Sequence, residues 1–168
     1  MGVEIRAEGP GDFVAIRAVH REAFGRDDEG RLVDALRGEG YVRLSLVAED
    51  TGCITGNILF SHLRIETEQG TVDALALAPL AVTPRYQRQG IGSRLVREGL
   101  CACTDLGHTI VVVVGHTEFY PRFGFSAKLA EPLSAPFPGD SFMALELVPR
   151  ALNGVFGTLK YALPFEAL

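Results

Sequence analysis

With 168 residues, 47% hydrophobic and 22% charged, the chain has the size and make-up of one globular domain, residues 1–168, with a substantial core. Acidic residues outnumber basic ones 21 to 16, and the net charge of −5 argues against a nucleic-acid-binding surface while suiting a cationic, amine-bearing partner. No apolar stretch reaches membrane-spanning length, no basic-then-hydrophobic leader opens the chain, and Cys53, Cys101 and Cys103 form no metal-binding pair, so the expectation is a cytoplasmic protein with free thiols, no membrane partner and no metal.

Residues 3–6 read as a short strand, followed by the turn Gly9-Pro10-Gly11-Asp12, with Asp12 placed to cap a helix running through about Phe24. Val14, Ala18, Val19 and Ala23 give that helix its expected apolar face. A second helix spans about residues 28–37 and stops at Gly38, with Leu32, Val33 and Leu36 as its stripe. Asp27, Asp28 and Glu29 lie at its positive end, where the dipole favours acids. Residues 44–49 and 53–65 flank Asp50-Thr51-Gly52 as an antiparallel hairpin, and Glu68-Gln69-Gly70 turns the chain into a strand at residues 75–82. A helix over residues 91–106 is expected to bury Ile91, Leu95, Val96, Leu100, Ala102 and Leu106, with Gly107 ending it. Residues 109–115 are an uninterrupted β-branched run, the pattern of a strand buried on both faces. The strand–helix–strand unit over residues 75–115 therefore reads as a parallel crossover, and the hairpins make the sheet mixed. Proline and small residues make 127–139 a loop, before strands at about 142–148 and 155–161.

The chemistry concentrates at Gln87-Arg88-Gln89-Gly90-Ile91-Gly92-Ser93, where a glycine-containing loop follows an apolar strand and opens an amphipathic helix. That order gathers unpaired backbone N–H groups and the positive end of a helix dipole at one point, which suits a pyrophosphate. A Walker loop is excluded because no lysine precedes Lys128. A dinucleotide fingerprint is excluded because Leu95 stands where its third glycine belongs.

The Gln87-x-x-Gly90-x-Gly92 spacing, with Tyr120 four residues ahead of Gly124-Phe125 downstream, resembles the acyl-CoA signature of the GNAT superfamily of N-acetyltransferases. The Phe119-to-Phe125 run and Gly139-Asp140-Ser141-Phe142-Met143 look like the bacterial YhbS-like branch. The resemblance implies an α/β GNAT fold: a mixed, mostly antiparallel central sheet with one parallel crossover, flanked by helices, and a short fourth helix over residues 116–125. It implies acetyl-CoA as cosubstrate, with its pyrophosphate over the backbone of residues 87–93, and direct attack by a primary amine of a small molecule or protein. Tyr120 is then the proton donor to the departing thiolate, and a phenol suits that task because it stays protonated near neutrality. The other reading of Tyr120 is a packing aromatic.

In the family the fourth and fifth strands splay apart and the pantetheine arm lies between them. Pro79 cannot donate to a ladder, so it either helps break the pairing there, freeing the N–H groups of Leu80, Ala81 and Val82 for the thioester carbonyl, or is an ordinary bulge residue. No acid occurs between residues 75 and 82, and Asp73 lies at the strand's far end, so the general base has no clear owner. His116, at the end of the 109–115 strand, is the favoured candidate over Glu118, His62 and a water chain. Arg88 is the best-placed cation for a CoA phosphate, ahead of Arg94 and Arg122, while Phe24, Phe137 and Phe142 are candidates for the acceptor pocket. The competing function is a catalytically silent acyl-CoA-binding regulatory or sensing module. An activity on tRNA is disfavoured by the lack of a basic patch. The acceptor is not legible, and a homodimer is left open.

Overall fold

The computed structural model describes residues 2–136 and 139–167. The chain begins with β1 (Val3–Ala7) and passes a 3-10 turn at Pro10–Asp12 into α1 (Phe13–Phe24) and α2 (Asp28–Gly38). β2 (Val42–Asp50), β3 (Cys53–Thr67) and β4 (Gly70–Val82) then form an antiparallel meander. α3 (Ile91–Asp105) leads back to β5 (Ile110–Val114). After it come α4 (Ala127–Ala130), β6 (Leu133–Ser134), β7 (Phe142–Glu146), β8 (Gly157–Tyr161) and a 3-10 turn at Leu163–Ala167.

The sheet runs β1-β2-β3-β4-β5-β7, antiparallel except for the parallel β4–β5 pair, with β8 on β3 and β6 parallel to β8. β3 organises it. Its 15 residues outlast β2, whose pairing ends at Val42 opposite Ser61, and the edge so freed at residues 63–67 takes β8. The C-terminal segment is thereby seated beside the middle of the sheet.

Alternation sends successive side chains of each strand to opposite faces. Ile58, Phe60, Leu75, Leu77, Val111 and Val113 meet Leu95 and Val96 of α3. Leu59 and Val47 meet Ile16 of α1 and Leu32, Val33 and Leu36 of α2 on the other face. Each such side chain contributes about 1.5–3 kcal/mol by leaving water. α3 approaches closely because Gly99 faces Phe60, where an added Cβ would come within 2.6 Å of the ring.

Several expectations shift by a register or a turn. Val14 is 84% exposed and Ala18 is exposed as well; α1 buries Val19 as expected, together with Ile16 and His20, a set that fits one helical face better. α3 ends before Leu106, which is exposed, and buries Gly99 and Cys103 in its place. The expected fourth helix over 116–125 is a single 3-10 turn, Tyr120–Phe123. Pro121 inside it has no N–H to donate, and Gly124 closes it at a φ of 103°. The helix comes later, as α4 inside the expected loop, where the Ser126 hydroxyl accepts the Leu129 N–H at 3.3 Å.

Candidate active site

The glycine loop hangs between two anchored ends. On the strand side, the Gln87 amide donates to the Val82 carbonyl at 2.8 Å, and the Tyr86 hydroxyl donates to Asp50 at 2.9 Å. The last turn bond is Gln87 N–H to Pro84 O, and the next is Arg94 N–H to Gly90 O, the first of α3. The backbone N–H groups of residues 88–93 lie between them without an acceptor among the described residues. Arg88 and Gly90 hold positive φ angles of 65° and 82°, which curl the loop into a cradle at the helix N-terminus. A cleft of about 330 Å³ opens over it, lined by Val82, Gln87, Arg88, Gly92, Phe119 and Arg122 among others. A Cβ on Gly92 would stand 3.9 Å from both Phe119 and Val82, so any larger side chain there fills the cleft.

Of the three arginines considered for phosphate, two border this cleft. Arg88 is exposed on the loop, and the Arg122 guanidinium lies 4.8 Å over the Phe119 ring. Arg94 is committed elsewhere, donating to the Val3 carbonyl at 2.9 Å and reaching Glu98 at 3.8 Å.

Beyond the loop, β4 and β5 pair only at Leu75–Val111 and Ala76–Val112 and then separate. The β3–β4 register slips over the stretch that holds Ala78 and Pro79, so the bulge and the divergence coincide. Thr83 N–H bonds to Thr55 O at 2.9 Å across β3. By the alternation of an antiparallel ladder, Ala81 also faces β3, whereas Leu80 and Val82 turn their N–H groups toward the open side. Of the three amides expected there, Ala81's is spent on the sheet. Val114, the last residue of β5, is 43% exposed because it stands where its neighbour strand has left.

Tyr120 is 7% exposed and packs edge-on to Phe119 and Phe125, at 5.0 and 5.6 Å between ring centroids. Its ring presses on Gly115, where a Cβ would collide with it, so the residue after β5 must lack one. Burial pushes its phenol up to about 12, which keeps it protonated across the neutral range. His116 is exposed just after β5, and its carbonyl accepts the N–H groups of Phe119 and Tyr120 at 3.1 and 3.2 Å. Glu118 and Asp73 are exposed, and His62 stands across from Leu75, where β4 is still close to β5. No cluster of His, Cys, Asp and Glu able to hold a metal occurs among the described residues.

The expected acceptor aromatics do not converge. Phe24 stacks on His20 at 6.0 Å, Phe142 is buried opposite Val114, and Phe137 lies outside the described residues. Two aromatics that the sequence reading missed, Tyr161 and Phe165, line a slot between residues 76–78 and 112–114. Their only sequence signal is a four-residue spacing across the end of a strand.

The α1 face of the sheet also carries a buried polar chain. His20 Nε2 lies 2.8 Å from Asn57 Oδ1, and Asn57 Nδ2 donates to Ser45 Oγ and the Leu46 carbonyl. Ser45 donates to Glu8, which pairs with Arg37 at 2.9 Å. Burial holds the His20 imidazole below the usual histidine range. Asn57 pairs with Ala81, so this chain sits behind the end of β4.

Comparison with known proteins identifies the family. The acetyltransferase (GNAT) domain model matches residues 4–127, which include both the glycine loop and Tyr120. The N-acetyltransferase YhbS of Escherichia coli K12, itself uncharacterised, is 38% identical over 160 residues, covering 94% of this chain and 95% of that protein. The crystal structure of E. coli YhbS in complex with CoA superposes with a TM-score of 0.90 at 37% identity, over 98% of this chain and 92% of that one. A GNAT-family acetyltransferase from Brucella melitensis, in complex with acetyl-CoA, superposes with a TM-score of 0.82 at 34% identity, over 98% of each chain. Sequence and fold thus agree, and the chain belongs to the GNAT family of acetyltransferases.

Proposed function

We propose that the protein transfers the acetyl group of acetyl-CoA to a primary amine by direct attack in a ternary complex. The observation that carries this reading is the run of unpaired N–H groups over residues 88–93, placed one strand-end away from the divergence of β4 and β5. The pyrophosphate sits in that cradle with Arg88 and Arg122 alongside, and the thioester lies along residues 80–82. The outward N–H of Leu80 or Val82 stabilises the oxyanion. The amine lone pair forms the C–N bond, the C–S bond breaks with its electrons going to sulfur, and Tyr120 gives the thiolate its proton. His116, two residues after Val114, takes the proton lost by the amine and passes it to water.

The acceptor is an amine of a small molecule or a protein, and the protein acts in the cytoplasm. Three free cysteines, two of them exposed, suit a reducing compartment, and no described helix is long and apolar enough to cross a membrane. The absence of an acid from residues 74–82 favours, as a second reading, a CoA-binding module without turnover. Release of free thiol from acetyl-CoA across a panel of amines separates the two. Amine-dependent release is expected, and binding without any release sustains the silent module instead.

A further inference from the structure

Resting on that reading, the slot where β4 and β5 part identifies the kind of amine. Its walls are residues 76–78 and 112–114, all alanine, leucine or valine, and the rings of Tyr161 and Phe165 close it. It holds about 160 Å³, the space of roughly five liquid waters, and its elongated walls of two strands suit a short aliphatic arm. The same two rings, 5.2 Å apart and tilted by 59°, also border a groove of about 650 Å³ along β8 and the Leu163–Ala167 turn. Slot and groove therefore meet at the same two rings, the slot where the strands part and the groove along β8.

We infer that the acceptor is a monoamine with an aromatic body, its short aminoalkyl arm in the slot and its ring against Tyr161 and Phe165 in the groove. Three features select it. The tilted ring pair offers an aromatic ring both an edge and a face to pack on. The apolar slot favours the neutral, nucleophilic form of the amine over the ammonium, which lightens the load on the base. Among the described residues, the charged groups bordering the groove are Lys160 and Glu166, one of each sign and both exposed, so no buried carboxylate is set there to hold a second ammonium. A diamine's second charge would find only the solvent-exposed Glu166, with Lys160 bordering the same groove.

The test measures thiol release from acetyl-CoA with 2-phenylethylamine, 1,4-diaminobutane and Nα-acetyl-lysine amide, with acetyl-CoA affinity measured separately by calorimetry. The aromatic amine is expected to show a kcat/KM at least about tenfold above the other two. In Phe165→Ala its KM is expected to rise about tenfold with kcat and acetyl-CoA Kd unchanged, and Phe165→Leu is expected to fall between. Equal or better use of the diamine or the lysine amide overturns the inference, as does a Phe165→Ala variant that loses kcat or acetyl-CoA affinity as much as it gains KM. Acetyl-CoA binding with no release to the aromatic amine also overturns it, while loss of acetyl-CoA binding itself defeats the proposed function.

Discussion

The two ends of the proposed reaction path are built from different materials. The donor end is backbone: six N–H groups on one continuous segment, shaped by two positive φ angles and a helix start. The acceptor end is side chain: alanines, valines and a leucine from two strands, closed by two rings from a segment about 80 residues beyond β4. A phosphate cradle made of amides constrains only where the chain bends and which residues lack a Cβ. A pocket made of side chains can change its occupant by exchanging one ring. The donor end thus defines the family, and the acceptor end is where members of one fold can diverge.

The contrast is broken most directly at Gly92. Gly92→Asp adds bulk and negative charge inside the cleft, and acetyl-CoA affinity is expected to fall beyond calorimetric detection while circular dichroism stays unchanged. Retained affinity would show that the cradle does not hold the pyrophosphate. The next largest effect is expected at Tyr120→Phe, with kcat falling about 100-fold and acetyl-CoA Kd nearly unchanged. Equal losses in both would place Tyr120 in binding or folding, as a packing aromatic.

Smaller effects sharpen the acceptor side. His116→Ala is expected to lower turnover about tenfold and to flatten the acid limb of the pH–rate profile; an unchanged profile removes His116 as the base. His20 affects stability and not turnover. Its folded pKa lies below its unfolded value of 6.5, so the unfolded chain binds the extra proton first and stability falls as pH drops below about 6.5. Glu29 and Asp34 act to raise its pKa and Arg37 to lower it, but burial outweighs them all. In His20→Gln, which keeps a donor for Asn57, the Tm is expected to lose that part of its slope between pH 7 and pH 5. A slope equal to the parent's would assign it to other groups.

How far the sequence carried the structure follows the same divide. The shape of the glycine loop was legible because it is local: strand, loop and helix start lie within twenty residues. The buried β5 run and the long β3–β4 hairpin were legible from composition and turns. The α1 face was misjudged because apolar residues lie on more than one side of that helix and only packing decides between them. The fourth helix was displaced because Pro121 and Gly124 permit one tight turn where a longer helix was expected. The use of Ala81's amide depends on ladder phase, which Thr83 and Thr55 set and no local motif encodes. Tyr161 and Phe165 were missed because their role depends on β8 taking the edge that β2 leaves, a long-range pairing.

Calorimetric titration of the purified protein with acetyl-CoA, with CoA and ATP as comparators, tests the central claim most directly. Saturable binding of acetyl-CoA and CoA, none of ATP, and loss of both in Gly92→Asp is the expected result. Absence of acetyl-CoA binding, or equal binding of ATP, would reduce the glycine loop to an ordinary helix start and contradict the account.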